Sequence, residues 1–208
     1  MLAHPEPSSF AAALARTAAN QLTESGWAVT LLDLYREGFD PVLSERDFTD
    51  RLIAERLKPM DEQLHAADSG TFAPELARHV ELFQSASLLL LVSPMWWYSV
   101  PAMMKGWIDR VFANGVAYRY PGVRPWSGFL AAKRGMLLMT SSYEPSDFRE
   151  DGVGTLAHVL HPLLYGTLAY TGMAVLEPFV AYAADSVDDA ARREYLADLR
   201  ARLAAIDP

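Results

Sequence analysis

Two apolar runs without alternation, at 87–92 and 134–140, constrain this chain more than any other feature of it. A strand with one face in water alternates apolar and polar residues, whereas a run such as Leu88, Leu89, Leu90, Leu91, Val92 is covered on both faces. The rest of the chain supplies the cover. Ser8 or Ser9 caps a helix expected to reach about Ser25, with Phe10, Leu14, Ala18 and Leu22 at helical spacing. Further helices are expected over 75–84, from Pro101 with a buried stripe of Met104, Ile108, Val111 and Phe112, from Pro162 to just before Gly172, and over 188–206. Strands are also expected at 27–34 and 174–181, where β-branched and apolar residues concentrate. Strands alternating with helices imply an α/β fold, a parallel sheet with helices on both faces. Residues 35–74 read as a long charged excursion with one short helix, and 113–128 as an extended, hairpin-like aromatic arm. No repeat or linker interrupts the pattern, so a single domain over 1–208 is expected.

Composition narrows the function. A formal net charge of −8 argues against nucleic acid or an anionic membrane surface as partner, because both demand a basic patch. The chain has no cysteine, which removes thiol nucleophiles, thiolate metal sites and disulfides. Its apolar runs fall short of the about 20 residues that span a bilayer. The start carries no signal-peptide pattern, and a cytoplasmic location without membrane insertion is expected.

In parallel sheets ligands bind beyond the carboxyl ends of the strands. Three stretches fall there: AHPEPSSF at 3–10, SPMWWYSVP at 93–101 and TSSYEPSDF at 140–148. The first feeds a helix start, where free amides and the positive end of the helix dipole favour an anion. The second sets Trp96, Trp97 and Tyr98 side by side, flat walls suited to a flat ligand. Neither a G-x-G-x-x-G turn nor a Walker A loop is present, so no separate dinucleotide domain is expected.

These stretches, with FDPVLSERDF at 39–48, SPMWWYSVPAMMKGWIDRVFANGVAY at 93–118 and GMAVLEPFVAY at 172–182, make the chain resemble the flavodoxin-like NAD(P)H:quinone oxidoreductases. The resemblance implies a three-layer sandwich around a five-stranded parallel sheet of order 2-1-3-4-5, a tightly held flavin and a homodimer with shared active sites. It implies FAD, because the 35–74 excursion resembles the FAD-binding branch, with FMN as the alternative, and NAD(P)H as co-substrate. The cofactor-binding positions it implies are His4, Ser8, Ser9, Phe10 and Ala11 in the first loop and Pro94, Met95, Trp96, Trp97 and Tyr98 in the second. Thr140, Ser141, Ser142 and Tyr143 follow in the third, with Arg192 on the last helix. Trp97, Tyr98, Tyr118, Tyr120 and Tyr143 are the implied catalytic positions; Tyr118 and Tyr120 match tyrosines that cross a dimer axis to cap the partner's pocket. The expected chemistry is two-electron transfer from NAD(P)H through the flavin to a quinone or related azo or nitro acceptor, the two substrates taking turns in one slot.

The sequence departs from the family pattern in places. Ala11 replaces an asparagine, Ser142 and Tyr143 replace two glycines, and Phe148 and Val153 stand near the places of a family tyrosine and histidine. Only Met1, Leu2 and Ala3 precede His4, where the family has several more apolar residues, so the first strand is expected either as a stub or as continued by residues upstream. His158 and His161 are three apart but precede a proline and lack a third partner, and no metal site is expected. Two rival readings share the resemblance: a flavodoxin that shuttles single electrons, and an ancillary subunit of a glutathione-gated potassium efflux system.

Overall fold

Met1–Ala3 runs between two longer stretches of chain, and that placement sets the sheet. In this computed structural model, which describes residues 1–122 and 128–208, Leu2 makes parallel bridges to Asp33 on one side and to Val92 on the other. β1 (Leu88–Pro94) then pairs in parallel with β2 (Arg134–Thr140), from Leu88 opposite Arg134 to Pro94 opposite Thr140. β2 pairs in parallel with β3 (Ala174–Val175) and β4 (Phe179–Ala181). The order across the sheet is therefore Asp33, Leu2, β1, β2, then β3 with β4, the expected 2-1-3-4-5.

Full strands are fewer than that order implies. Among the described residues the sheet holds 4 of them, and the first two positions are each reduced to a bridge at Leu2 and at Asp33. Residues 27–32, expected as a strand, have the right composition but no ladder, because a strand exists only where a neighbour accepts its hydrogen bonds. The last strand is split in two at 176–178, where Pro178 has no N–H to donate.

Both faces are covered, as the unalternated runs require. Along β2, Met136 and Leu138 pack with α1 (Phe10–Glu24) and α6 (Asp189–Ala204), while Leu137 and Met139 face the opposite core. That second core takes in α3 (Pro74–Ser85), α4 (Ala102–Val111), α5 (Leu156–Leu163) and Ala66 of α2 (Pro59–Ser69). Ser9 caps α1 by accepting from the Ala12 amide, and alanine, the best helix former, lines its buried face. Trp107 is among the largest fully buried side chains; its indole donates to His79 Nδ1 at 3.1 Å.

Two expectations need correction. Pro162 does not open a helix; it lies near the end of α5, which begins at Leu156 after a Thr155 cap and passes into a π-turn over Leu164–Leu168. Gly172 then ends the segment in the left-handed region, with φ +93. The arm expected over 113–128 is, in its described part, a turn held by Asn114, whose side chain accepts from the Tyr120 amide and donates to the Tyr120 carbonyl, both at 2.8 Å. Residues 123–127 of that arm lie outside the described residues.

Candidate active site

All the strands point the same way, so the loops that follow Ala3, Pro94, Thr140 and Ala181 open on one rim. The first holds His4 through Ser9. Glu6 takes Ser8 to itself: its Oε1 accepts the Ser8 amide at 2.8 Å and the Ser8 hydroxyl at 2.6 Å, and these bonds hold the carboxyl below its ordinary titration range. His4 Nδ1 accepts from the Glu6 amide at 3.0 Å. Ser9 is spent as the cap of α1, yet its hydroxyl hydrogen is not. The Phe10 and Ala11 amides, in the first turn, have no carbonyl behind them in the helix. Those amides and the Ser9 hydroxyl are the donors the loop leaves for an anion.

The second loop is a tight reversal. Trp96 and Ser99 exchange both backbone hydrogen bonds at 3.0 Å, which places Trp97 and Tyr98 at the two central turn positions, with φ +52 and +56. Such turns favour glycine and asparagine, so two aromatic residues there are held against their own preference. Met95 anchors the base: it is buried and its amide donates to the Thr140 carbonyl at 2.7 Å. The Trp97 ring is 95% exposed and Trp96 43%, apolar surface that a free loop has no reason to present. Trp96 is tilted against the His4 ring at 6.3 Å, which joins the first loop to the second.

Tyr98 turns the other way. It stacks on Tyr143 of the third loop at 4.8 Å with planes 18° apart, and both meet Phe148 edge-on. Phe148 in turn meets Tyr182 at 5.9 Å. The Tyr143 side chain keeps the Tyr98 hydroxyl above its usual range, so Tyr98 is a neutral donor at any physiological pH. The third loop is braced beneath: buried Ser141 accepts the Tyr143 amide, Ser142 hydrogen-bonds Asp185, and the Ala183 and Ala184 amides return to Tyr143 and Ser141. Arg192 donates to the Ala184 carbonyl at 3.2 Å and to Asp189 at 3.1 Å, which fixes that last loop.

The structure thus brings together most of the residues singled out from the sequence, from His4 to Ala11, from Pro94 to Tyr98 and from Thr140 to Tyr143. Tyr118 and Tyr120 belong to another group, where Tyr118 meets Tyr170 edge-on and Tyr120 is exposed. Glu6, Tyr182 and Asp185 were not legible as site residues. Glu6 carries the one available signal, a carboxylate two residues before a serine at a helix start.

A parallel sheet in this order, wrapped on both faces and opening its loops at the carboxyl rim, defines a doubly wound α/β protein. The particular family follows from comparison: residues 1–203 match the profile of the Flavodoxin-like fold family, and the chain belongs to it. Ribosyldihydronicotinamide dehydrogenase (quinone) of Mus musculus is 33% identical over 206 residues, covering 98% of this chain and 89% of that protein. NAD(P)H dehydrogenase (quinone) 1 of Cavia porcellus is 33% identical over 205 residues, covering 98% of this chain and 74% of that one. Among solved structures, a Klebsiella pneumoniae protein assigned as a quinone reductase superposes with a TM-score of 0.91 at 32% identity, covering 100% of this chain and 84% of its own. The chain is an oxidoreductase of this family. No helix among the described residues is long and apolar enough to cross a membrane.

Proposed function

We propose that this chain is a flavin-dependent NAD(P)H:quinone oxidoreductase, working as a cytoplasmic homodimer of one domain per subunit. One observation carries the reading: exposed indoles, a stacked tyrosine pair and uncommitted helix-start amides share a single rim. The quinone and NAD(P)H named by the relatives support the substrate class.

The donor set fits a flavin. The Phe10 and Ala11 amides and the hydroxyls of Ser8 and Ser9 would hold the phosphate, with His4 beside them, and Glu6 would have to give up its hold on Ser8 for that hydroxyl to take part. Pro94, Met95 and Trp96, together with Thr140, Ser141 and Ser142, would hold the ring system. Arg192 orients the loop that closes the far end. The long excursion favours FAD over FMN.

When bound, a flavin would supply two-electron chemistry between NAD(P)H and a quinone. The protein supplies orientation and dryness. Trp97 and Tyr98 wall a flat slot in which nicotinamide and quinone lie in turn, and the Tyr98–Tyr143 pair sets its width. Tyr98, held above its usual range, stays protonated and offers its hydroxyl hydrogen to a developing oxyanion, with Tyr143 stacked against it. Tyr118 and Tyr120 reach across the dimer axis to cap the partner's slot.

Flavin released by heat from purified protein, identified by chromatography, and bleaching of the bound dye by NADH or NADPH without oxygen test the proposal. Folded protein that stays colourless in excess FMN and FAD, with its tryptophan emission unquenched, overturns it.

A further inference from the structure

The gap between the second and third loops of the rim is bridged by rings of the chain itself. Tyr143 reaches across it to lie on Tyr98 at 4.8 Å with planes 18° apart, the face-on stack that a flat ligand would otherwise make there. Phe148 closes the edges of both rings, at 6.4 Å from Tyr98 and 6.2 Å from Tyr143. Tyr182 of the fourth loop continues the row, 5.9 Å from Phe148. All four are half-buried, whereas the neighbouring Trp97 is 95% exposed. The rim is therefore fenced on one side and open on the other.

Each ring of the fence is fixed through its backbone. Tyr98 sits in the reversal that Trp96 and Ser99 close. The Tyr143 amide donates to Ser141 Oγ at 3.1 Å, and its carbonyl accepts from the Ala183 amide at 3.0 Å. Phe148 follows the 3₁₀ turn Pro145–Asp147, where the Asp147 carboxylate accepts the Glu144 amide at 2.8 Å. From α6, the Tyr195 hydroxyl accepts the Tyr182 amide and donates to the Tyr182 carbonyl, both at 3.2 Å. Rings anchored in this way do not swing aside freely, so they limit a ligand by its size instead of following its shape.

We propose that Tyr143 determines specificity: its ring confines the slot to acceptors of a single six-membered ring and turns away fused two-ring ones. The inference rests on the quinone-reductase reading above and names the acceptor class that the site takes. The Tyr143 phenol fills the side of Tyr98 toward the third loop, so a ligand ring beside Tyr98 is left the side toward Trp96 and Trp97. A second fused ring needs the space that the phenol holds, and it is rejected by that clash. Nicotinamide is itself one ring, so the reductant passes the same limit.

Methylbenzoquinone and methylnaphthoquinone differ by one fused ring and test this in the flavin-loaded protein. Their binding is measured by calorimetry without reductant, and their kcat/KM with NAD(P)H, where quinone, NAD(P)H and a proton give hydroquinone and NAD(P)+. The parent is expected to bind the two-ring probe no tighter than the one-ring probe. Tyr143→Ala leaves a hole of one ring beside Tyr98. It is expected to raise affinity and kcat/KM for the two-ring probe at least tenfold, with those for the one-ring probe within about threefold of the parent. Tyr143→Phe keeps the ring and is expected to match the parent. A parent that binds the two-ring probe tenfold tighter, or a Tyr143→Ala that shifts both probes alike, overturns the proposal and leaves the quinone-reductase reading standing. Protein that takes up no flavin and binds neither probe overturns both.

Discussion

Trp97 and Tyr98 sit in the left-handed region, at φ +52 and +56, where a residue with a Cβ is about 1–2 kcal/mol less stable than in its ordinary conformation. Tyr98 offsets this through its stack on Tyr143. Trp97, with 95% of its surface exposed, makes no such return within the chain, and strain kept at an exposed aromatic points to a ligand that uses it. Two substitutions separate strain from function. Trp97→Gly relieves the backbone and loses some entropy in doing so, for a net gain of about 0.5–1 kcal/mol, or about 1–4 °C in thermal midpoint for a chain of this size. Trp97→Ala leaves the backbone strained and is expected to stay within about 0.5 kcal/mol of the parent. Both are expected to lower quinone turnover at least tenfold, because both remove the indole. Equal turnover in Trp97→Ala and the parent removes Trp97 from the slot.

At the scale of elements, the long excursion before α3 is held by α4 rather than by its own structure. Arg110, 4% exposed, donates to Asp47 at 3.1 Å and to the Asp40 carbonyl, and its guanidinium lies over the Phe39 ring at 4.7 Å. Burial, only partly answered by Arg110, raises the Asp47 carboxyl. Asp47→Ala leaves the buried Arg110 with only the half-exposed Glu75, at 3.5 Å, as an anionic partner, and is expected to cost up to about 3–5 kcal/mol by urea unfolding. On the same helix, a Cβ on Gly106 would lie 2.0 Å from the Pro41 carbonyl oxygen and 2.5 Å from its Cβ, so Gly106→Ala must push the excursion away, at about 1–3 kcal/mol or more. Proteolysis between 35 and 58 should accelerate in both. A destabilised Gly106→Ala with unchanged proteolysis there places the damage elsewhere. The sequence showed α1, β1, β2 and α6 because each carries its own cap or its own apolar period. It overstated 27–34, whose composition is that of a strand but where only Asp33 makes a bridge, because pairing depends on a neighbour far along the chain. It misplaced the start of α5 because proline is a common opener of helices, whereas Pro162 sits inside one. At the rim, the motif residues were legible from the resemblance, but the turn at Trp97 and Tyr98 and the Glu6 bond to Ser8 were not, since both depend on local backbone geometry.

The whole molecule is a sheet tight at its carboxyl rim and open at its amino end, and that asymmetry has a pH signature. In the 208-residue chain the Met1 amine is buried between the 28–32 stretch and β1, and its pKa falls from 8.0 to about 5. Above pH 8 the amine is neutral in folded and unfolded chains alike and contributes nothing. Between about 8 and 5 the unfolded chain binds a proton that the folded chain does not, so stability falls as pH falls through that window and levels off below it. The loss accumulates to on the order of 4 kcal/mol. His79, buried against Trp107 and Glu37, is also pushed below its usual value by burial and adds a slope of the same sign. Acetylating Met1 separates the two. It keeps an N–H for Leu90, removes the charge and leaves His79 untouched, so the acetylated and free chains should have equal urea unfolding free energies at pH 8.5 and diverge by about 3 kcal/mol at pH 5.5, the acetylated chain being the more stable. Parallel curves across that range mean that water already reaches the amine in the folded chain.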